Sequence, residues 1–260
     1  HGFNSPVQPD GTHSYAFSYI ADTAKSIHAL NELIASSKQV LDNVSMAFIP
    51  DYFLTEAVYP KSEKMNEMFQ NLKRLRCAGQ IDNIGRALLD SHISFDAADI
   101  QNEEINQDKV LVLLSARYMP KEIQQKLVNF VKKGGRLLLY GEVPEYDMEG
   151  NECTILMTAM GLKEPAYVVN NPPAYYLSMK ACGKLEGAVP MQCGQFAQTF
   201  DMDESGILEV YGSRKMCGMI KQIGAGTVCA VTGDYPSHMG FWGRIFEVLK
   251  IHAGLSAKYY

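Results

Sequence analysis

Between Lys109 and Glu142 the chain reads KVLVLLSARYMPKEIQQKLVNFVKKGGRLLLYGE, two unbroken apolar runs on either side of an amphipathic stretch. Residues 110–114 and 137–140 lack polar alternation, as expected of parallel strands covered on both faces. Between them Ile123, Leu127, Phe130 and Val131 recur at helical spacing. Pro120 suits the first helical turn, Lys132 and Lys133 suit the negative end of the helix dipole, and Gly134 suits a left-handed stop. The segment predicts one parallel βαβ unit.

The same periodicities organise the rest of the chain. Residues 1–11 are rich in Pro, Gly and Asn and predict an irregular lead-in. A long helix is expected from about Ser14 to Leu41, with Tyr19, Ile20, Ala24, Ile27, Leu30, Leu33 and Ile34 on one face. Such an arm packs either on its own sheet or on a neighbouring domain or subunit. Residues 44–49 predict the first strand, residues 62–77 a helix, and Asp82 an N-cap for another helix carrying Ile84, Ala87 and Leu88. A short strand is expected at residues 93–96. The order is then β-α-(α)-β-β-α-β, an open parallel sheet with helices on both faces.

Beyond residue 139 the rhythm changes. A short helix is expected within residues 151–161, stopped by Gly161. From Ala166 to Asp234 helical periodicity disappears, and residues 175–179, 196–200, 208–211, 216–223 and 227–232 predict short strands. Gly224-Ala225-Gly226 suits a hairpin connection, and a closing helix is expected near residues 241–253. The division is a lead-in and helical arm (1–43), a flavodoxin-like α/β core (44–163), a β-rich extension completing it (164–233) and a closing helix (234–260).

Composition narrows the function classes. With 260 residues and a formal charge of −5, the chain has no basic footprint for nucleic acid. No apolar run reaches the ~20 residues that span a bilayer, so no membrane partner is expected. The opening residues His1-Gly2-Phe3-Asn4 suggest either a piece cut from a longer polypeptide or a few appended residues. The six cysteines form no CxxC pair, and several lie in apolar surroundings, as Cys229 does within Thr-Val-Cys-Ala-Val. Reduced thiols in a cytoplasmic protein are expected, without a zinc site.

The chemistry-bearing motifs are mostly missing. There is no GxSxG elbow, no Walker A loop and no GxGxxG opening a helix. Asp201, Asp203 and Glu204 mimic the start of a calcium loop but lack the bidentate Glu at its twelfth position, so a solvated turn is expected. Two residues stand where open α/β sheets place ligands. Glu142 follows the strand of residues 136–140, and His238 follows a late strand in Asp234-Tyr235-Pro236-Ser237-His238.

Strand 44–49 with Pro50-Asp51-Tyr52, the stretch Leu88-Leu89-Asp90-Ser91-His92-Ile93-Ser94-Phe95-Asp96, and the strand-helix-Gly134-Gly135-strand unit carry a family pattern. Over about residues 14–255 the chain resembles the middle domain of bacterial β-galactosidases of glycoside hydrolase families 42 and 35. That domain is similar in fold to class I glutamine amidotransferases. In family 42 it follows a catalytic (β/α)8 barrel and contributes to trimer formation. Active amidotransferases carry a cysteine where this chain has Gly141-Glu142-Val143, and a His and Glu where it has the turn ending at His238. The resemblance therefore carries over no catalytic residue, because the two glutamates of such glycosidases belong to the barrel.

The expectation is a non-catalytic structural and oligomerisation module of a multidomain β-galactosidase-type enzyme. Its implied partners are the barrel of the same polypeptide, other copies of itself and, for the parent enzyme, a galactoside; no cofactor and no metal is implied. The rival is a free-standing amidotransferase-like or hydrolytic enzyme using Glu142 and His238, and a third option is a small-ligand sensor at the strand ends.

Overall fold

The computed structural model describes the chain apart from residues 1–4, 38–42, 58–61, 78–79, 170–176, 188–190, 193–195, 203–204, 236 and 253–260. For residues 54–57, 74–77, 80–82 and 191–192 it describes the backbone alone. The expectations for Cys77, Cys193, Asp203, Glu204 and residues 1–4 lie outside the described residues. The chain divides into one unit of residues 1–40 and another of residues 41–260.

The first unit holds helices α1 (Ala16–Ala29) and α2 (Asn31–Ser36) in place of one continuous helix. The break falls at Leu30, whose backbone leaves helical geometry at φ −101°, ψ 8°. Neither helix buries a residue.

The second unit begins with β1 (Val44–Phe48), a 3₁₀ turn (Pro50–Ala57), α3 (Glu63–Cys77), α4 (Gln80–Asp90) and β2 (Asp96–Asp99). Next come β3 (Val110–Ser115), α5 (Lys121–Lys132), β4 (Arg136–Gly141) and α6 (Ile155–Met160). The β-rich part supplies β5 (Ala166–Val169), β6 (Ser178–Ala181), β7 (Met191–Gln192), β8 (Phe196–Thr199), β9 (Gly206–Val210), β10 (Lys215–Ile223) and β11 (Gly226–Val231). Helix α7 (Met239–Val248) closes the unit.

One sheet runs through it in the order β2-β1-β3-β4-β11-β10-β9-β6-β7. The strands from β2 to β11 pair parallel, in the doubly wound order that starts 2-1-3-4. From β11 onward every pairing is antiparallel. The late strand β11 thus joins the parallel core beside β4, with Cys229 opposite Leu138. A separate two-stranded ribbon, β5-β8, is joined to this sheet by single bridges, Phe200 to Met216 of β10 and Ala197 to Gly233 just beyond β11.

Side-chain alternation divides the core in two. Val110 and Val112 of β3 face a cluster with Ile84 and Leu88 of α4 and Phe241, Trp242 and Ile245 of α7. Leu111 and Leu113 face Met68 and Leu72 of α3, Leu127 and Val131 of α5, and Met157 of α6. Helices therefore cover both faces, the α/β architecture that the apolar runs imply.

Local chemistry explains where the boundaries moved. The strand expected at 93–96 begins instead at Asp96. His92 takes φ 57°, its N–H donates to the Leu89 carbonyl, and the Ile93 N–H donates to the Leu88 carbonyl, both at 2.9 Å. That is a Schellman stop, so Ile93 belongs to the end of α4. Helix α4 starts at Gln80, which puts Asp82 inside its first turn in place of the cap; its side chain lies outside the described residues. Pro120 sits one residue ahead of α5 at φ −51°, ψ 136°. Helix α7 spans Met239–Val248, and Lys250 at φ 54° ends the turn that follows it.

Other expectations hold in detail. Gly134 follows α5 at φ 111°, and Gly161 caps α6 at φ 74°. Ile223 pairs with Gly226 across a two-residue turn whose first central residue, Gly224, has φ 61°, the position a II′ turn reserves for glycine. Lys215 donates to Asp201 at 2.6 Å, so Asp201 is an exposed, paired turn residue. No helix of the described residues is long and apolar enough to cross a membrane.

Candidate functional site

The C-terminal ends of β3 and β4 lie side by side, Ser115 opposite Gly141, and each strand then turns out of the sheet. Gly141 has φ 119°, a conformation that an L side chain rarely adopts. The Glu142 N–H donates to the Ser115 carbonyl at 2.8 Å, which sends the Glu142 carboxylate towards α3. There Glu142 is 2% exposed and accepts a 2.6 Å hydrogen bond from the Asn71 amide. The Asn71 carbonyl oxygen accepts the Arg117 N–H at 3.2 Å, so one amide side chain ties both strand ends to α3.

Arg117 binds Glu145 as a fork, with Nε 3.2 Å from Oε1 and Nη2 3.1 Å from Oε2. Its guanidinium also lies over the rings of Tyr146 and Tyr167, 5.0 and 5.2 Å from their centroids. Planarity and weak hydration suit arginine to such combined pairing and stacking. Burial pulls the guanidinium pKa down, but Tyr167, Glu145 and Tyr146 outweigh it and hold the group above its ordinary range.

The β5-β8 ribbon closes the other side. The Tyr167 hydroxyl donates to Glu145 Oε1, and burial followed by Glu145 pushes the phenol well above its usual pKa. Gln198 of β8 is fully buried; its Oε1 accepts the Val143 N–H at 2.7 Å, and its Nε2 donates to the Val143 carbonyl at 3.0 Å and to Glu145 at 3.2 Å. The amide thus copies a strand partner for the chain leaving β4. Beneath α3, the Tyr52 hydroxyl accepts the Ala116 N–H at 3.4 Å, and burial raises its pKa, with Glu142 adding to the rise. Ser115 Oγ is buried without a hydrogen-bond partner among the described residues.

Of these groups Asn71, Arg117, Glu142 and Tyr167 line an open cleft of about 530 Å³. Glu142 is one of its lining residues, but His238 is not. His238 precedes α7 in an extended conformation, and its carbonyl accepts the N–H groups of Phe241 and Trp242 at 3.0 and 3.1 Å. Helices α3 and α7 pack on opposite faces of the sheet, so the structure does not bring the two sequence candidates together. Among the described residues, no three His, Cys, Asp or Glu side chains form a group able to hold a metal ion.

Periodicity points to Glu142 through its strand end but passes over Asn71, Arg117, Glu145, Tyr167 and Gln198. Arg117 and Glu145 did carry a weak signal, since each stands a few residues beyond a predicted parallel strand. Asn71 and Gln198 carried none, because a polar residue on a helix or a short strand reads as solvent-facing until its neighbours are known.

Comparison with known proteins places this architecture. Over 96% of its length the chain is 23% identical to a beta-1,2-glucosyltransferase of Ignavibacterium album, of which it spans 38%. A stretch of 76 residues, 28% of the chain, is 30% identical to an exo-beta-D-glucosaminidase of Pyrococcus horikoshii and spans 10% of that protein. The chain therefore covers well under half of either relative. Among solved structures, the cold-adapted beta-galactosidase of Rahnella sp. R3 superposes over 96% of this chain and 37% of its own, with TM-score 0.66 and 14% identity. Gan42B, a GH42 beta-galactosidase from G. stearothermophilus, does so over 97% and 36%, with TM-score 0.65 and 13% identity. At such identities the likeness is one of fold, and it is the fold of the β-galactosidase-associated middle domain. Residues 63–204, more than half of the chain, match the family described as GLMA-like, second domain. The chain belongs to the GLMA-like second-domain family.

Proposed function

We propose that this chain is a non-catalytic structural module of a larger β-galactosidase-type glycoside hydrolase. It would hold a catalytic (β/α)8 barrel of the same polypeptide and lend surface to an oligomer. The observation that carries this is the arm. Tyr15, Tyr19, Ile20, Ile27, Leu30, Leu33 and Ile34 are 51–80% exposed, on helices that bury nothing. Within the unit of residues 1–40 these apolar side chains, on and beside the two helices, are left uncovered, and exposed apolar residues grouped in this way mark an interaction surface. In the same proposal residues 1–43 are the docking arm, 44–163 the core, 164–233 its completion and 234–260 the closing helix.

Two further observations support a structural role. The polar groups at the ends of β3 and β4 bind one another, Glu142 to Asn71 and Glu145 to Arg117, Tyr167 and Gln198. Glu142 and His238 are held on opposite faces of the sheet, which does not favour an acid–base pair. The thiols of Cys153, Cys182, Cys217 and Cys229 are unbridged, in keeping with a cytoplasmic setting.

The parent enzyme would act on a terminal β-hexoside, a galactoside in the first instance, by retention. Residues 1–260 alone are expected to leave a chromogenic β-galactoside intact, and turnover by that purified chain would overturn the proposal. Light scattering on the full-length parent should show an oligomer that Leu33→Asp with Ile34→Asp dissociates. An oligomer indifferent to both substitutions would remove the arm from the interface.

A further inference from the structure

We infer that the cleft between α3, the ends of β3 and β4, and the β5-β8 ribbon binds a neutral pyranose unit. Its position is the one open α/β sheets use for ligands, outside the carboxyl ends of parallel strands. Its volume of about 530 Å³ lies within the usual span of small-molecule sites. The walls combine two kinds of surface. Tyr167 supplies exposed aromatic area, backed by the buried rings of Tyr118 and Phe196, while Asn66 and Gln70 supply exposed amides from successive turns of α3.

That combination matches the two faces of a sugar ring. Each hydroxyl of a pyranose is a donor and an acceptor, and an amide side chain presents both functions at once. The C–H faces of the ring are apolar and pack on aromatic surface. Tyr167 is suited to this contact because its hydroxyl is tied to Glu145 while the residue stays 36% exposed.

Charge sets the class of sugar. Arg117 is the one cation among the described lining residues, and its guanidinium is forked onto Glu145. Glu67 and the buried Glu142 line the same cleft. An anionic ligand would meet two carboxylates and a cation already neutralised, so phosphorylated sugars and uronic acids are disfavoured. The choice of a saccharide over another neutral polyol rests on the glycoside-hydrolase role proposed above; the choice of a neutral ligand does not.

The 260-residue chain itself is the material for the test. Saturation-transfer NMR and calorimetry with galactose and glucose should give saturable binding, whereas glucose 6-phosphate and glucuronate should give none. Asn66→Ala with Gln70→Ala removes two exposed amides of α3 and should weaken hexose binding about tenfold with the melting temperature unchanged. Glu142→Gln, which keeps an acceptor for Asn71, should allow the anionic sugars to bind detectably. If Glu142→Gln fails to fold, the exposed double variant still decides. Absence of saturation with neutral hexoses, equal binding by the double variant, or preference for the anionic sugars would each overturn the inference. Because the barrel is absent from this experiment, a negative result leaves the module proposal standing, and a failed association leaves the cleft untouched.

Discussion

Arg117 has its head group bound by Glu145 on one side and faced by two tyrosine rings on the others, with only a third of its side chain exposed. Truncation to Ala would leave Glu145, 11% exposed, without its cation, and urea unfolding should report a loss of about 2 kcal/mol. Arg117→Lys should recover less than half of that, since an ammonium can neither fork nor stack. Buried acids give a second prediction with a definite sign. Tyr52, Tyr167 and Cys229 all have folded pKa values raised above their ordinary 10.0, 10.0 and 9.0, chiefly by burial. The unfolded chain therefore releases these protons first, and the stability they contribute is intact below pH 9 and falls as pH rises above it. Each group adds a slope of roughly 1.4 kcal/mol per pH unit once its unfolded form ionises. Urea midpoints measured from pH 7.5 to 11 should decline accordingly, and absorbance titration should show at least two tyrosines that ionise only with unfolding. A flat profile to pH 11 would contradict the burial of these groups.

At the level of elements, the βαβ unit is held by a close approach that only glycine permits. A Cβ on Gly226 would lie 2.1 Å from the Val131 carbonyl oxygen and 2.2 Å from that of Gly135. Both are backbone atoms, at the end of α5 and the start of β4, so neither can swing aside. Gly226→Ala should destabilise the chain by about 3 kcal/mol, at the upper end of overpacking costs, and should loosen β11 from β4. Denaturation and amide exchange along Val228 to Val231 would measure this; a loss under about 0.5 kcal/mol would mean the contact is slack. The βαβ unit itself was legible in the sequence because three signals agreed: unbroken apolar strands, one helical stripe and a glycine stop. Strand β2 was displaced by three residues because Ile93 is apolar and buried, and only the positive φ of His92 reveals that it finishes a helix.

For the whole molecule the balance shifts to what lies on the surface. The arm carries an apolar stripe at helical spacing that the sequence displays openly, yet its helices bury no residue. Leu33→Asp with Ile34→Asp should therefore leave the unfolding midpoint of residues 1–260 within about 0.5 kcal/mol of the parent chain, the usual range for surface changes. A larger loss would place those side chains in this chain's own core.

The sequence by itself determined the architecture, because hydrophobic periodicity is a local property and the burial of a strand or helix face follows from it directly. It also placed Glu142 at a strand end. Tertiary structure alone decided that Glu142 and His238 serve opposite faces. It also decided that Asn71, Arg117, Glu145, Tyr167 and Gln198, drawn from five separate segments, converge on the ends of β3 and β4. The physical reason is that a polar side chain acquires its role from its partners, and partners more than twenty residues apart are set by strand order and register, which no local pattern encodes.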